Sequence, residues 1–125
     1  MARILVIDDD SDTRAMLEQT LKPAGYEVIL AADGREGVER YRASPVDLVI
    51  TDLYMPNQEG LETIGELRRR FPEVAIIAMS GRPDSGTMLS IAQTLATVEI
   101  LRKPFVADEL IAAVGKALGG QPPAR

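Results

Sequence analysis

Four acids crowd five positions near the start of the chain: Asp8, Asp9, Asp10 and Asp12. They follow directly on the apolar run Ile4-Leu5-Val6-Ile7. Three later apolar runs also end in reactive side chains. One closes in Thr51-Asp52, one in Met79-Ser80-Gly81, and one in Arg102-Lys103-Pro104-Phe105. Carboxylates that converge raise one another's pKa or demand a counter-charge. Two solutions exist here. A hard divalent cation, Mg²⁺ by preference in an all-oxygen site, neutralises them. The Lys103 ammonium reaches the same pocket. A metal, a lysine, a hydroxyl and a nucleophilic carboxylate together equip a site for phosphoryl transfer. The metal and lysine stabilise charge on the transferring oxygens, the hydroxyl hydrogen-bonds one of them, and the carboxylate attacks phosphorus.

Such residues meet only if the chain brings its strand ends together. The apolar runs are Arg3–Ile7, Tyr26–Ala31, Val46–Thr51, Val74–Met79 and Val98–Leu101. They are short, rich in Val, Ile and Leu, and mostly lack alternation, as suits parallel strands buried on both faces. Helical patterns lie between them: Ser11–Ala24, Gly34–Ala43, Glu59–Phe71, Asp84–Ala96 and Ala107–Leu118. The first places Met16, Leu17, Thr20, Leu21 and Ala24 on one face. Pro72 stops the third, and Gly119-Gly120 ends the last. Five β-α units predict an α/β fold, a single doubly wound parallel sheet covered by helices on both faces. Ligands of such sheets bind outside the carboxyl ends of the strands, where the reactive residues fall.

Composition narrows the chemistry further. The chain has 125 residues, one ordinary domain, with 46% apolar and 26% charged residues. Cys and His are both 0, which excludes disulfides, Cys/His zinc sites, thiol catalysis and a histidine base. A net charge of −5 argues against direct nucleic-acid binding. No apolar run approaches membrane-spanning length, and Ile4 to Ile7 meets acids too soon for a signal peptide. The expected location is the cytoplasm.

The set Ile4-Leu5-Val6-Ile7-Asp8-Asp9, Thr51-Asp52-Leu53-Tyr54-Met55-Pro56, Gly60-Leu61, Met79-Ser80-Gly81 and Lys103-Pro104-Phe105 resembles the receiver domain of two-component response regulators, of the chemotaxis-regulator-like kind. The resemblance runs from Arg3 to about Leu118. It implies a flavodoxin-like sheet of order 2-1-3-4-5 with five helices. It implies residues 1–118 as the receiver domain and 119–125 as a flexible tail or the start of a linker. By the same resemblance Asp52 accepts a phosphoryl group from a sensor histidine kinase or a histidine phosphotransfer protein. Asp9 binds Mg²⁺ directly and Asp8 largely through water, with Asp52 and the Tyr54 carbonyl completing the protein's ligands. Lys103 pairs with the phosphoryl oxygens, Ser80 moves toward them, and Pro104 follows the lysine through a cis peptide. The output is an unidentified protein or domain, met through the 84–96 helix, the fifth strand and the last helix, with a phosphorylation-dependent homodimer as one form. Neither a membrane nor nucleic acid is implied as a direct partner. The start at Met1 speaks against a receiver embedded in a kinase.

Each signal has a plainer competitor. Asp10, Ser11 and Asp12 read as caps of the first helix, where anions are favoured. Asp8, Asp10 and Asp12 imitate half a calcium loop, but Thr13 and Gln19 occupy the positions that require Gly and Glu. They also approach the first motif of haloacid-dehalogenase phosphatases, with Asp12 where Thr or Val is expected. Residues Gly81 to Gly86 imitate a phosphate loop in which Thr87 replaces the lysine. Arg68-Arg69-Arg70 reads as a helix end. Met16, Met55, Met79 and Met88 read as core or loop packing. Two rivals to the switch stay open: a small Mg²⁺-dependent phosphatase with an aspartyl nucleophile, and a phosphorylation-independent interaction module. A phosphatase turns over an external ester, whereas a receiver catalyses only its own phosphorylation and dephosphorylation and otherwise holds the acyl phosphate.

Three positions depart from the family pattern. Ile100 stands three before Lys103, where an aromatic residue is usual, so a swinging ring is not available to couple to Ser80. Tyr54 and Arg82 stand two after Asp52 and Ser80, and they predict slow self-dephosphorylation. The stretch Ser85 to Thr97 has no charged residue, which suits a partner or self-association surface.

Overall fold

Apolar runs without alternation build a sheet that is buried on both sides. The computed structural model describes residues 2–53, 60–81 and 99–119. Its elements are β1 (Arg3–Ile7), α1 (Ser11–Leu21), β2 (Glu27–Ala31), α2 (Gly34–Ala43), β3 (Leu48–Asp52), α3 (Gly60–Arg70), β4 (Ala75–Ser80), β5 (Glu99–Arg102) and α4 (Ala107–Ala117). The five strands pair in parallel in the order β2-β1-β3-β4-β5. This is the doubly wound arrangement expected of the sequence. The expected helix over 84–96 lies outside the described residues, as do Tyr54, Arg82 and residues 120–125.

Alternate strand residues serve opposite faces. Leu5, Ile7, Val49, Ile76 and Ala78 pack with Val38 and Tyr41 of α2 and with Ile64 and Leu67 of α3. Ile4, Val6, Leu48, Ile50, Ile77 and Met79 pack with Leu17 and Leu21 of α1 and with Leu110 and Val114 of α4. Each buried Leu, Ile or Val contributes roughly 1.5–3 kcal/mol by its removal from water. Two faces of such residues hold the strand ends in fixed register.

Element ends differ from the apolar runs for backbone reasons. The first helix stops at Leu21 rather than Ala24: Pro23 has no N–H to continue the ladder, and Gly25, with φ 102°, turns the chain into β2. Val46 is buried, but pairing with β1 starts only at Leu48. Ahead of it, Asp47 donates its N–H to the Arg3 carbonyl at 2.9 Å and accepts the Arg3 N–H at 2.8 Å. The third helix ends at Arg70, before Phe71. Met16 is a correction: it is 40% exposed, not core. The buried stripe of α1 is Leu17 and Leu21, four apart, and Met16 sits one position round from it. No helix among the described residues is long and apolar enough to cross a membrane.

One close approach fixes α2 on the sheet. A Cβ on Gly37 would collide with the Ile7 Cδ1 and lie 2.8 Å from its Cγ1. Ile7 has no exposure, so its side chain has nowhere to move. Gly37→Ala should therefore lose stability by about 1–2 kcal/mol, although alanine is the better helix former by roughly 1 kcal/mol. Urea unfolding measures the difference. A variant as stable as the parent would show that α2 can lift off β1 without cost.

Candidate functional site

Asp8 follows β1 and is fully buried. Its N–H continues the ladder by donating to the Ala31 carbonyl at 3.1 Å. Asp52 ends β3 and is 6% exposed, whereas Asp9 is exposed. Ligand atoms of Asp8, Asp9 and Asp52 all lie within 4.8 Å of one another. Strand pairing explains the convergence: Ile7 stands beside Thr51, so Asp8 and Asp52, one position further on, fall side by side at the carboxyl ends of their strands. The acids next to them have separate work. Asp10 caps α1, accepting from the Asp12 N–H at 3.3 Å and from the Thr13 hydroxyl at 2.7 Å. That is the plainer role the sequence assigned to it.

Lys103 supplies the counter-charge. Its Nζ lies 3.1 Å from the Asp8 Oδ2 and 3.4 Å from the Asp52 Oδ2. Its side chain is only 26% exposed. Burial works against its ammonium, but the charges of Asp52 and then Asp8, and hydrogen bonds to both, outweigh it. The net effect raises its pKa above the ordinary lysine value. The Lys103 N–H donates to the Ser80 carbonyl at 2.7 Å, extending the β4–β5 pairing to the site. The Lys103–Pro104 peptide is cis, as the resemblance implies. The stem of the lysine rests on Gly81, where a Cβ would stand 3.5 Å from its Cβ and Cδ.

Ser80 ends β4 and is 2% exposed. Its Oγ is buried with no hydrogen-bond partner among the described residues. An unpaired buried hydroxyl costs roughly 1–3 kcal/mol, so a ligand that brings an acceptor recovers that cost. The donor set is all oxygen, and Lys103 pairs with two of its three carboxylates. Asp8, Asp9 and Asp52 therefore fit a hard divalent cation such as Mg²⁺.

The structure brings Asp8, Asp9, Asp52, Ser80 and Lys103 to one place at the carboxyl end of the sheet. Tyr54 and Arg82 lie outside the described residues. Ile100 stands beside Ala78 in the β4–β5 register and packs toward the α2–α3 side of the core. Arg68 confirms the plain reading of the basic run, donating from its Nη1 to the carbonyls of Pro72 and Val74 at 2.8 Å. One residue escaped the sequence reading. Arg14 donates from its Nη1 to the Asp8 main-chain carbonyl at 2.7 Å. A bond to a carbonyl leaves no mark on residue types, so no spacing could have revealed it. Beside the site, Thr13, Met16, Gly81, Lys103, Pro104 and Phe105 line a cavity of about 460 Å³.

Comparison with known proteins agrees with this geometry. The family model described as the response regulator receiver domain matches residues 4–115. The response regulator MprA of Mycolicibacterium vanbaalenii is 36% identical over 110 residues, which are 88% of this chain and 47% of that protein. The chemotaxis protein CheY of Bacillus subtilis is 32% identical over 117 residues, covering 93% of this chain and 97% of that one. This chain thus spans about half the length of the first curated relatives it matches, and nearly all of the chemotaxis protein. Among solved structures, the response regulator TrrA of Thermotoga maritima, in complex with Mg(2+)-BeF, superposes with a TM-score of 0.85 at 35% identity. That match covers 94% of this chain and 100% of that one.

Proposed function

We propose, for a chain that belongs to the response regulator receiver domain family, that Asp52 is the residue on which its signal is written. The chain is a switch of the two-component kind, in a family phosphorylated by histidine kinases and coupled to output. Supporting Asp52 is one observation above others: Lys103 bridges it to Asp8 at 3.4 and 3.1 Å, beside a buried Ser80 hydroxyl that lacks a partner among the described residues.

Asp52 attacks the phosphorus of a phosphohistidine. A new O–P bond forms, the P–N bond breaks, and the electron pair leaves with the imidazole nitrogen. Lys103 meets the charge on the phosphoryl oxygens, and the Ser80 hydroxyl donates to one of them. Asp8, Asp9 and Asp52, with the Tyr54 carbonyl, would hold Mg²⁺, whose positive charge neutralises developing negative charge. Contacts made by Ser80 and Lys103 only with the modified Asp52 are the differential interactions that shift the domain between states. With Ile100 in place of a ring, the shift runs through Ser80 and the β4–β5 edge without an aromatic rotamer.

The phosphodonor is a sensor kinase or a phosphotransfer protein. The output partner is a protein or domain meeting β5, α4 and the 84–96 segment, with a homodimer as one form. Residues 1–118 act as the domain and 119–125 as its tail or linker. The working compartment is the cytoplasm. Autocatalysis is confined to Asp52, without turnover of an external ester.

Incubation with a small acyl-phosphate donor, followed by intact mass, tests the reading. Addition of one phosphoryl group is expected with Mg²⁺ and not with a chelator. Once the donor is removed, Tyr54→Ala and Arg82→Ala should release phosphate faster than the parent. No gain of mass by the parent would defeat the switch, and equal release by all three would defeat the long-lived signal.

A further inference from the structure

We infer that Arg14 is a positioning residue of the acidic site, holding the Asp8 carbonyl so that Asp9 presents its carboxylate toward Asp52. This rests on the reading of Asp8, Asp9 and Asp52 as a cation site. Asp8 is restrained on every side. Its N–H is bound to the Ala31 carbonyl at 3.1 Å, its Oδ1 to the Asp10 N–H at 2.9 Å, and its Oδ2 to Lys103 at 3.1 Å. The remaining acceptor, the main-chain carbonyl, belongs to the peptide that leads into Asp9. That peptide is planar, so fixing its oxygen fixes the plane from which Asp9 departs.

Arg14 makes this fixing bond at 2.7 Å, a short distance that suits a charged donor. The arginine is itself anchored. It lies in the first turn of α1, is half-buried, and donates its own N–H to the Asp10 carbonyl at 3.0 Å. Asp9 is exposed and has no side-chain hydrogen bond of its own among the described residues. The backbone therefore sets the direction in which its Cβ leaves the chain, and Arg14 holds the carbonyl of the peptide just before it. Groups behind metal ligands commonly act this way, by orienting them.

Charge alone predicts the opposite result. A guanidinium on the Asp8 carbonyl, beside the acidic site, repels an incoming cation, so its removal should tighten binding. Positioning predicts that removal loosens it. Mg²⁺ titration by calorimetry and hydrogen exchange at the Asp10 amide of the metal-free protein separate the two. Arg14→Met should bind Mg²⁺ about tenfold to a hundredfold more weakly, and its Asp10 amide should exchange faster. Arg14→Lys keeps a donor, and should bind more tightly than Arg14→Met. Equal or tighter binding by Arg14→Met, unchanged exchange at Asp10, or no recovery in Arg14→Lys overturns the inference. A parent that binds no Mg²⁺ sinks the cation reading instead, and the Asp10 exchange then decides the role of Arg14.

Discussion

Asp52→Asn should take up no phosphate and yet be more stable than the parent when Mg²⁺ is absent. The first half follows from chemistry. An amide offers no carboxylate oxygen for attack on phosphorus, so transfer from a small donor should slow by at least about a thousandfold. The second half follows from the placement of charge. Ligand atoms of Asp8, Asp9 and Asp52 lie within 4.8 Å of one another, and Lys103 pairs with two of the three, Asp8 and Asp52. The substitution relieves two like-charge contacts and weakens the attraction to Lys103, while the isosteric amide keeps an oxygen that can still accept hydrogen bonds. At the effective dielectric of a partly buried site the balance is about 1–3 kcal/mol in favour of the variant. Urea unfolding with a chelator reads it, and added Mg²⁺ should narrow the gap. A variant less stable than the parent without Mg²⁺ would mean that the carboxylates do not repel in the folded state.

Lys103→Met should do the reverse. It leaves a fully buried Asp8 and a nearly buried Asp52 without their ammonium. Removing one partner of a buried ion pair costs about 3 kcal/mol. If Lys103 meets the phosphoryl oxygens as proposed, its loss should also slow phosphate uptake by roughly a hundredfold to a thousandfold. Mg²⁺ should restore part of the stability, because it neutralises the same acids, and little of the rate. The pH dependence is one-sided. Lys103 has its pKa raised on folding, with burial opposed and outweighed by Asp52 and Asp8. Its contribution is therefore fully present below the ordinary lysine value and is lost as pH rises through the higher folded value. Parent and variant should differ by a constant amount through neutrality and converge only in strong alkali. Equal stability at neutral pH without Mg²⁺ would show that the lysine is a bystander.

Residue types exposed the site because reactive side chains had to follow apolar runs. Asp52 after Leu48-Val49-Ile50-Thr51 and Lys103 after Ile100-Leu101-Arg102 were legible as strand ends. Their meeting depended on a strand order that the family resemblance supplied. Element ends were less legible, since Val46 is as apolar as Val49 and only pairing with β1 tells them apart. Met16 was misplaced because a stripe of apolar residues wider than the contact reads as one face. Arg14 was invisible, because its partner is a main-chain oxygen common to every residue.

The bridge from Lys103 to Asp8 joins residues 95 apart in sequence. It also joins strands that are not neighbours, since β3 and β4 stand between β1 and β5. The charge balance of the pocket therefore exists only once β1, β3, β4 and β5 have docked side by side. A nascent or damaged copy carries Asp52 but lacks the lysine beside it. On the proposed role of Asp52 and Lys103, such a copy should accept phosphate poorly. Completion of the sheet is thus a precondition for the Lys103–Asp8 ion pair, and the proposed chemistry depends on the fold as a whole.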